Sequence, residues 1–178
     1  SSGRPIIVDR PLLRADLAET GSAHLPLPNY VAVDLAAAPG RRALATREAV
    51  GWMRVLAGGR CEVQSAYRTP SAGLVLVQRM DAAVSGVLTS TTLAGADEGA
   101  WIRAVAVAET RVEVVIDEAD ARASVDVASV DGVLRMARRF ETSERLSLRR
   151  AIAAVSSSDA VTDLADLRAD ASVGHDLC

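Results

Sequence analysis

Between Cys61 and Ala128 the sequence keeps returning to a two-residue period, and little but turn residues separates one repeat from the next. Cys61, Val63, Ser65 and Tyr67 fall on one side of an extended chain, with Glu62, Gln64, Ala66 and Arg68 on the other. The turn from Arg68 to Gly73, which contains Pro70, sends the chain back through Leu74 to Gln78 as the return strand of a hairpin. Val84 to Leu93 is rich in β-branched residues and interrupted by Gly86, which predicts a strand with a bulge. Trp101 to Glu109 is compatible with strand or helix. Val112 to Asp117 and Ala123 to Ala128 predict two further strands across the acidic turn 118–122. Regular crossover helices do not separate these segments, so the strands are expected to pair mainly antiparallel.

Outside that region the period is helical or absent. Ala45, Ala49, Trp52, Met53 and Leu56 form one stripe, with Arg42, Glu48 and Arg54 away from it, and Gly58-Gly59 ends the helix. That stripe is expected to pack on Val63, Val75 and Val77. Ser129 caps an expected helix carrying Val130, Val133, Leu134, Ala137 and Phe140; a second carries Leu146, Ile152 and Val155 inward; a third carries Val161, Leu164 and Leu167. The first forty residues hold five of the six prolines (Pro5, Pro11, Pro26, Pro28, Pro39) and read as an extended arm with short strands at 6–9 and 30–35. The expected class is therefore α+β: a mainly antiparallel sheet with one helix before it and a helical C-terminal third, preceded by a proline-rich extended arm. Residues 1–40 form the arm and 41–178 a single domain.

The arm needs a host surface, because Ile6, Ile7, Val8, Leu12, Leu13, Leu25 and Leu27 are too apolar to remain in water. These seven are the expected contacts to a protein partner. Charge is also segregated: residues 135–150 hold six arginines (Arg135, Arg138, Arg139, Arg145, Arg149, Arg150) against two acids, while 151–178 hold one arginine and five acids. The basic block could meet an acidic partner or the phosphates of a nucleic acid, although Phe140 is its only aromatic for stacking on bases.

The available side chains exclude several chemistries. All 20 basic residues are arginine, so there is no lysine for a Schiff base or a phosphate cradle, and no G-x-x-x-x-G-K-[ST] or G-x-G-x-x-G loop occurs. The two histidines, His24 and His175, sit in the arm and the tail. Cys61 and Cys178 are too few for a disulfide framework, lack zinc spacing, and fit a reducing compartment. A mean hydropathy of +0.18 with a net charge of −3 describes a folded, soluble chain, and no apolar run is long enough for a membrane span. One acidic group remains, Glu113, Asp117, Glu118, Asp120 and Asp126, which could bind a divalent cation or act as an acid–base pair.

These features predict a lysine-free, non-catalytic structural or interaction subunit of a larger assembly, such as a virion or secretion component. It would be cytoplasmic or within such an assembly, homo- or hetero-oligomeric, with no catalytic residue, cofactor or metal. Two alternatives stay open: a small metal-assisted or ligand-binding enzyme using the acidic cluster, and a nucleic-acid-binding module using the arginine block.

Overall fold

The structure is a computed structural model that describes residues 5–93, 99–136, 141–157 and 161–175. Helix α1 (Ala15–Ala23) is followed by β1 (Tyr30–Ala37), a short 3-10 turn (Pro39–Arg41) and α2 (Arg42–Ala57). Seven strands come next: β2 (Cys61–Arg68), β3 (Ala72–Arg79), β4 (Ser85–Thr92), β5 (Ala100–Val107), β6 (Arg111–Asp117), β7 (Arg122–Ser129) and β8 (Gly132–Arg135). Helices α3 (Ser143–Ser156) and α4 (Asp163–His175) close the order. All eight strands form one sheet in the order β2-β3-β4-β1-β5-β6-β7-β8.

The expected fold class needs correction at the sheet's centre. β1 pairs parallel with β4, from Tyr30 opposite Ser85 to Ala37 opposite Thr92, and antiparallel with β5 on its other edge. The sheet is therefore mixed, and α2 does not precede it. Instead α2 and the β2–β3 hairpin together form the connection between the two parallel strands. The helix of that crossover lies upstream of Cys61, outside the stretch of short turns.

The arm also proves to be something else. Its prolines flank the elements and spare them: Pro11 precedes α1, Pro26 and Pro28 precede β1, and Pro39 opens the turn after it. The proline-free window 30–37 alternates so cleanly that Val31, Val33, Leu35 and Ala37 are all buried, and it becomes a central strand. Leu12, Leu13 and Leu17 join the same core, and the Trp52 indole donates to the Leu12 carbonyl at 2.7 Å. A division at residue 40 would run through the middle of the sheet.

Helices α1 and α2 pack on one face. That face is built from Val75, Val77, Leu88, Ile102, Ala104, Ala106, Val112, Val114 and Val125, closed by Trp52, Met53 and Leu56 from α2. Alanines on both surfaces let helix and sheet approach closely. α2 ends where expected, with Gly58 left-handed at φ 72° and the last carbonyls accepting from Gly58 and Gly59. The opposite, open face of the sheet carries Asp34, Leu74, Leu76, Val87, Trp101, Arg103, Glu113 and Asp126.

Three further expectations change. The bulge lies in β2, where the register shifts between Val63 and Ser65, and not in β4. Ser65 and Tyr67 consequently pair with Leu76 and Leu74 on the open face, while Val63 stays with Val77 on the helical face. The helix expected from Ser129 is instead a hairpin, because Asp131-Gly132 turns β7 back into β8 with Gly132 at φ 132°; Ala137 and Phe140 lie outside the described residues. In α3 only Leu146 is buried, and Ile152 and Val155 are 64% and 79% exposed.

Candidate functional site

On the side of α2 away from the sheet, four ionised groups meet inside the protein. Arg10 precedes α1, Glu48 and Arg54 are on α2, and Asp170 comes from α4. Arg10 Nη1 donates to Asp170 Oδ2 at 2.6 Å, and its Nε is 3.2 Å from both Glu48 oxygens. Arg54 grips the same Asp170 through Nε at 2.8 Å and Nη2 at 3.1 Å, with Asp166 3.5 Å away. Glu48 and Asp170 are 0% and 1% exposed, so the pairing happens out of water. Burial works to lower the Arg54 pKa, but the hydrogen bond and charge of Asp170, with Asp166, overcome it and hold the guanidinium above its ordinary value. The crossing needs Gly51: a methyl group there would stand 2.5 Å from Leu13, 2.7 Å from Arg10 Nη2 and 2.9 Å from Asp170 Oδ2. This cluster fastens the N-terminal segment and α4 onto α2.

Beside it, between α2, α4 and the sheet, lies a cavity of about 90 Å³. Val50, Met53, Val75, Val77, Leu88 and Val173 form its walls, Cys61 sits in it, and Arg60 and Met80 reach its exposed end. Burial pushes the Cys61 thiol up to about 11 against the partial offset of Arg79 and Arg54, so it is a neutral S–H at ordinary pH and a slow nucleophile. A shallow recess of about 370 Å³ bordered by Val63, Ala66, Arg68 and His175 opens elsewhere on the surface.

The residues singled out from sequence are dispersed. Leu12 and Leu13 are part of the chain's own core and cannot serve a partner; Ile7, Val8 and Leu25 are half-buried, and only Ile6 and Leu27 are exposed. The arginine block is not one helical face. Arg135 lies on β8 and pairs with Asp126, while Arg149 and Arg150 on α3 pair with Glu141 and Asp163. Arg145 is exposed, and Arg138 and Arg139 lie outside the described residues, as does Cys178. The acidic group is likewise divided: Glu113 is held by Arg103 and Arg111, Glu118 by Arg41, and Asp117 accepts from the backbone N–H groups of Ala119 and Asp120. Among the described residues no set of three or more His, Cys, Asp or Glu side chains is placed to hold a metal ion. His24 Nδ1 is bonded to the Thr20 carbonyl at 2.9 Å. No described helix is long and apolar enough to cross a membrane.

No protein-family model matches the chain, and no curated protein matches it in sequence. Solved structures do match in fold. One is a 3-ketoreductase from Actinomadura kijaniata in complex with TDP-benzene and NADP, 14% identical, covering 97% of this chain and 60% of that one, with a TM-score of 0.64. Another is the UDP-N-acetylglucosamine 3-dehydrogenase from Acidithiobacillus ferrooxidans, 9% identical, covering 97% of this chain and 60% of that one, also at 0.64. The chain thus spans about six tenths of the length of the structures it matches. This likeness corrects the expectation of a non-catalytic structural, capsid or virion subunit, and of a chain with no part in an enzyme: the architecture is one that oxidoreductases use.

Proposed function

We infer that the chain forms the sheet domain of an oxidoreductase that exchanges hydride between NADP and a nucleotide-linked sugar. The observation that supports this is the fold match along 97% of the chain to a 3-ketoreductase in complex with TDP-benzene and NADP and to a UDP-N-acetylglucosamine 3-dehydrogenase. The dinucleotide itself does not fit the described residues. Cavities of about 90, 130 and 370 Å³ occur among the described residues, the first mainly apolar and the last a shallow recess, and the sequence has no glycine-rich G-x-G-x-x-G loop or lysine to cradle phosphates. We therefore assign cofactor binding to polypeptide other than these residues, and to this chain the rigid wall against which a second binding unit can close. The complete gene product, supplied with NADPH and 3-keto nucleotide sugars, is expected to oxidise NADPH, followed by its near-ultraviolet absorbance. Cofactor binding without turnover of any such sugar would overturn the reading, and tight binding of NADPH by residues 1–178 alone would overturn the division of labour.

With Leu12 and Leu13 committed to the core, we place the protein partner on the open sheet face. Leu74, Leu76 and Tyr67 are exposed there on β3 and β2, and Arg103, Arg111, Glu113 and Asp126 lie on the same face across β4 and β1. The charges there are already paired within the chain, so a second copy turned about a two-fold axis would meet the exposed leucines and Tyr67 without burying an unpaired charge. Sedimentation should show a dimer that Leu76→Glu converts to monomer; an unchanged mass would refute this placement.

A further inference from the structure

We propose that the cavity between α2, α4 and the sheet binds a short aliphatic carboxylate, its hydrocarbon tail inside and its carboxylate on Arg60. Three observations point there. First, the walls are aliphatic, from Val50, Met53, Val75, Val77, Leu88 and Val173, so the interior offers a tail nothing to hydrogen-bond and excludes a polar ligand. Besides Arg60 its polar lining groups are the Cys61 thiol, neutral and a weak donor, and Arg54 and Asp170, which are bonded to each other.

Second, the charges around the mouth leave one cation over. Arg54 and Arg10 are matched by Asp170, Asp166 and Glu48, and Arg79 is held by both oxygens of Asp81 at the end of β3. Arg60 also borders the cavity, is exposed, and makes no ion pair or side-chain hydrogen bond among the described residues. A guanidinium at the open end of an apolar cavity selects an anion whose other end is apolar, and its fork matches a carboxylate.

Third, size limits the tail. About 90 Å³ is the share of roughly three water molecules in liquid water, which suits a chain of about three or four carbons beyond the carboxylate and excludes a long acyl chain or an aromatic ring system. The site is separate from the sheet's open face and does not depend on the oxidoreductase reading. α4 roofs it with Ala169 and Val173 and is fastened by Asp170, so occupancy would bear on how α4 sits.

The test uses the full chain with Cys178→Ser, which leaves Cys61 as its only thiol. The rate of Cys61 modification by a disulfide reagent is measured against increasing valerate. Saturable protection is expected with a dissociation constant on the order of 1 mM. Arg60→Gln, a surface change, should weaken it about tenfold, the loss of one charge-assisted contact. Val173→Phe and the milder Ala169→Leu fill the cavity and should abolish it, with circular dichroism confirming that each variant folds. Absence of protection up to about ten times that concentration would overturn the proposal. So would equal protection by pentylamine or pentanol, or protection that survives both filling variants in folded protein.

Discussion

Replacing Asp170 by Asn tests the centre of the ionic cluster with almost no change in shape. The carboxylate is 1% exposed and accepts three hydrogen bonds, from Arg10 Nη1 at 2.6 Å, Arg54 Nε at 2.8 Å and Arg54 Nη2 at 3.1 Å. An amide keeps one acceptor oxygen and turns the other position into a donor facing a guanidinium. Arg10 then retains Glu48, and Arg54 retains only Asp166 at 3.5 Å, so the buried side of α2 carries an uncompensated positive charge. Breaking a buried pair in this way costs about 3–5 kcal/mol, whereas an exposed pair is worth about 0–1 kcal/mol. In a protein of this size each kcal/mol moves the melting temperature by about 2–4 °C, so a fall of roughly 6–20 °C is expected. Urea unfolding followed by Trp52 fluorescence should show the same loss with an unchanged slope. As a control, Asp126→Asn removes the exposed partner of Arg135 and should shift stability by less than about 1 kcal/mol. A loss below about 1 kcal/mol for Asp170→Asn would refute the claim that the cluster is desolvated and fastens α4.

Leu12→Ala should cost about 2–5 kcal/mol because that side chain is fully enclosed, while Leu27→Ala, 59% exposed, should stay within about 0.5 kcal/mol; equal effects in chemical denaturation would contradict the placement of residues 10–17 in the core. Gly51→Ala gains helix propensity yet must displace Leu13 and Arg10, so a net loss of about 1–3 kcal/mol is expected, read from the melting temperature. Cys61 raised to about 11 should react with a maleimide at a rate still climbing above pH 9, in the Cys178→Ser background; a plateau at or below pH 9 would show an unburied thiol. The sign for stability is the matching one. Folded protein holds the thiol proton more tightly than unfolded chain, so the Cys61 contribution is present below pH 9 and lost between pH 9 and about 11.

Local periodicity carried much of the sheet and little of its centre. β3, β6 and β7 were legible because one face is covered and the other more open, which writes a clean period into the residues, and α2 because its sheet-facing stripe repeats at helical spacing. β1 was read as a fragment of an arm because prolines counted over forty residues hid a window of eight that contains none. The β7–β8 hairpin had a signal, Asp131-Gly132, which the apolar spacing of Val130, Val133 and Leu134 outweighed although all three are exposed. The ionic cluster gave no local sign at all. Glu48 was assigned to the solvent side of α2 by its distance from the apolar stripe, a rule that fails when a second layer covers the helix. That layer comes from residues far off in sequence, 38 positions upstream for Arg10 and 116 downstream of Arg54 for Asp170.

The bond between Arg10 and Asp170 joins residues 160 positions apart, and the Val8 N–H reaches Asp163 across 155. In synthesis α1, β1 and α2, with Glu48, precede α4, yet Asp170, which joins Arg10 to Arg54, arrives only with α4. Loop-closure entropy is met before such contacts return anything, so assembly should be slow and close from the β2–β3–β4 and β5–β6–β7 hairpins inward. Until α4 docks, a nascent chain carries Arg54 and an apolar wall without their cover, the interval in which it most needs a chaperone.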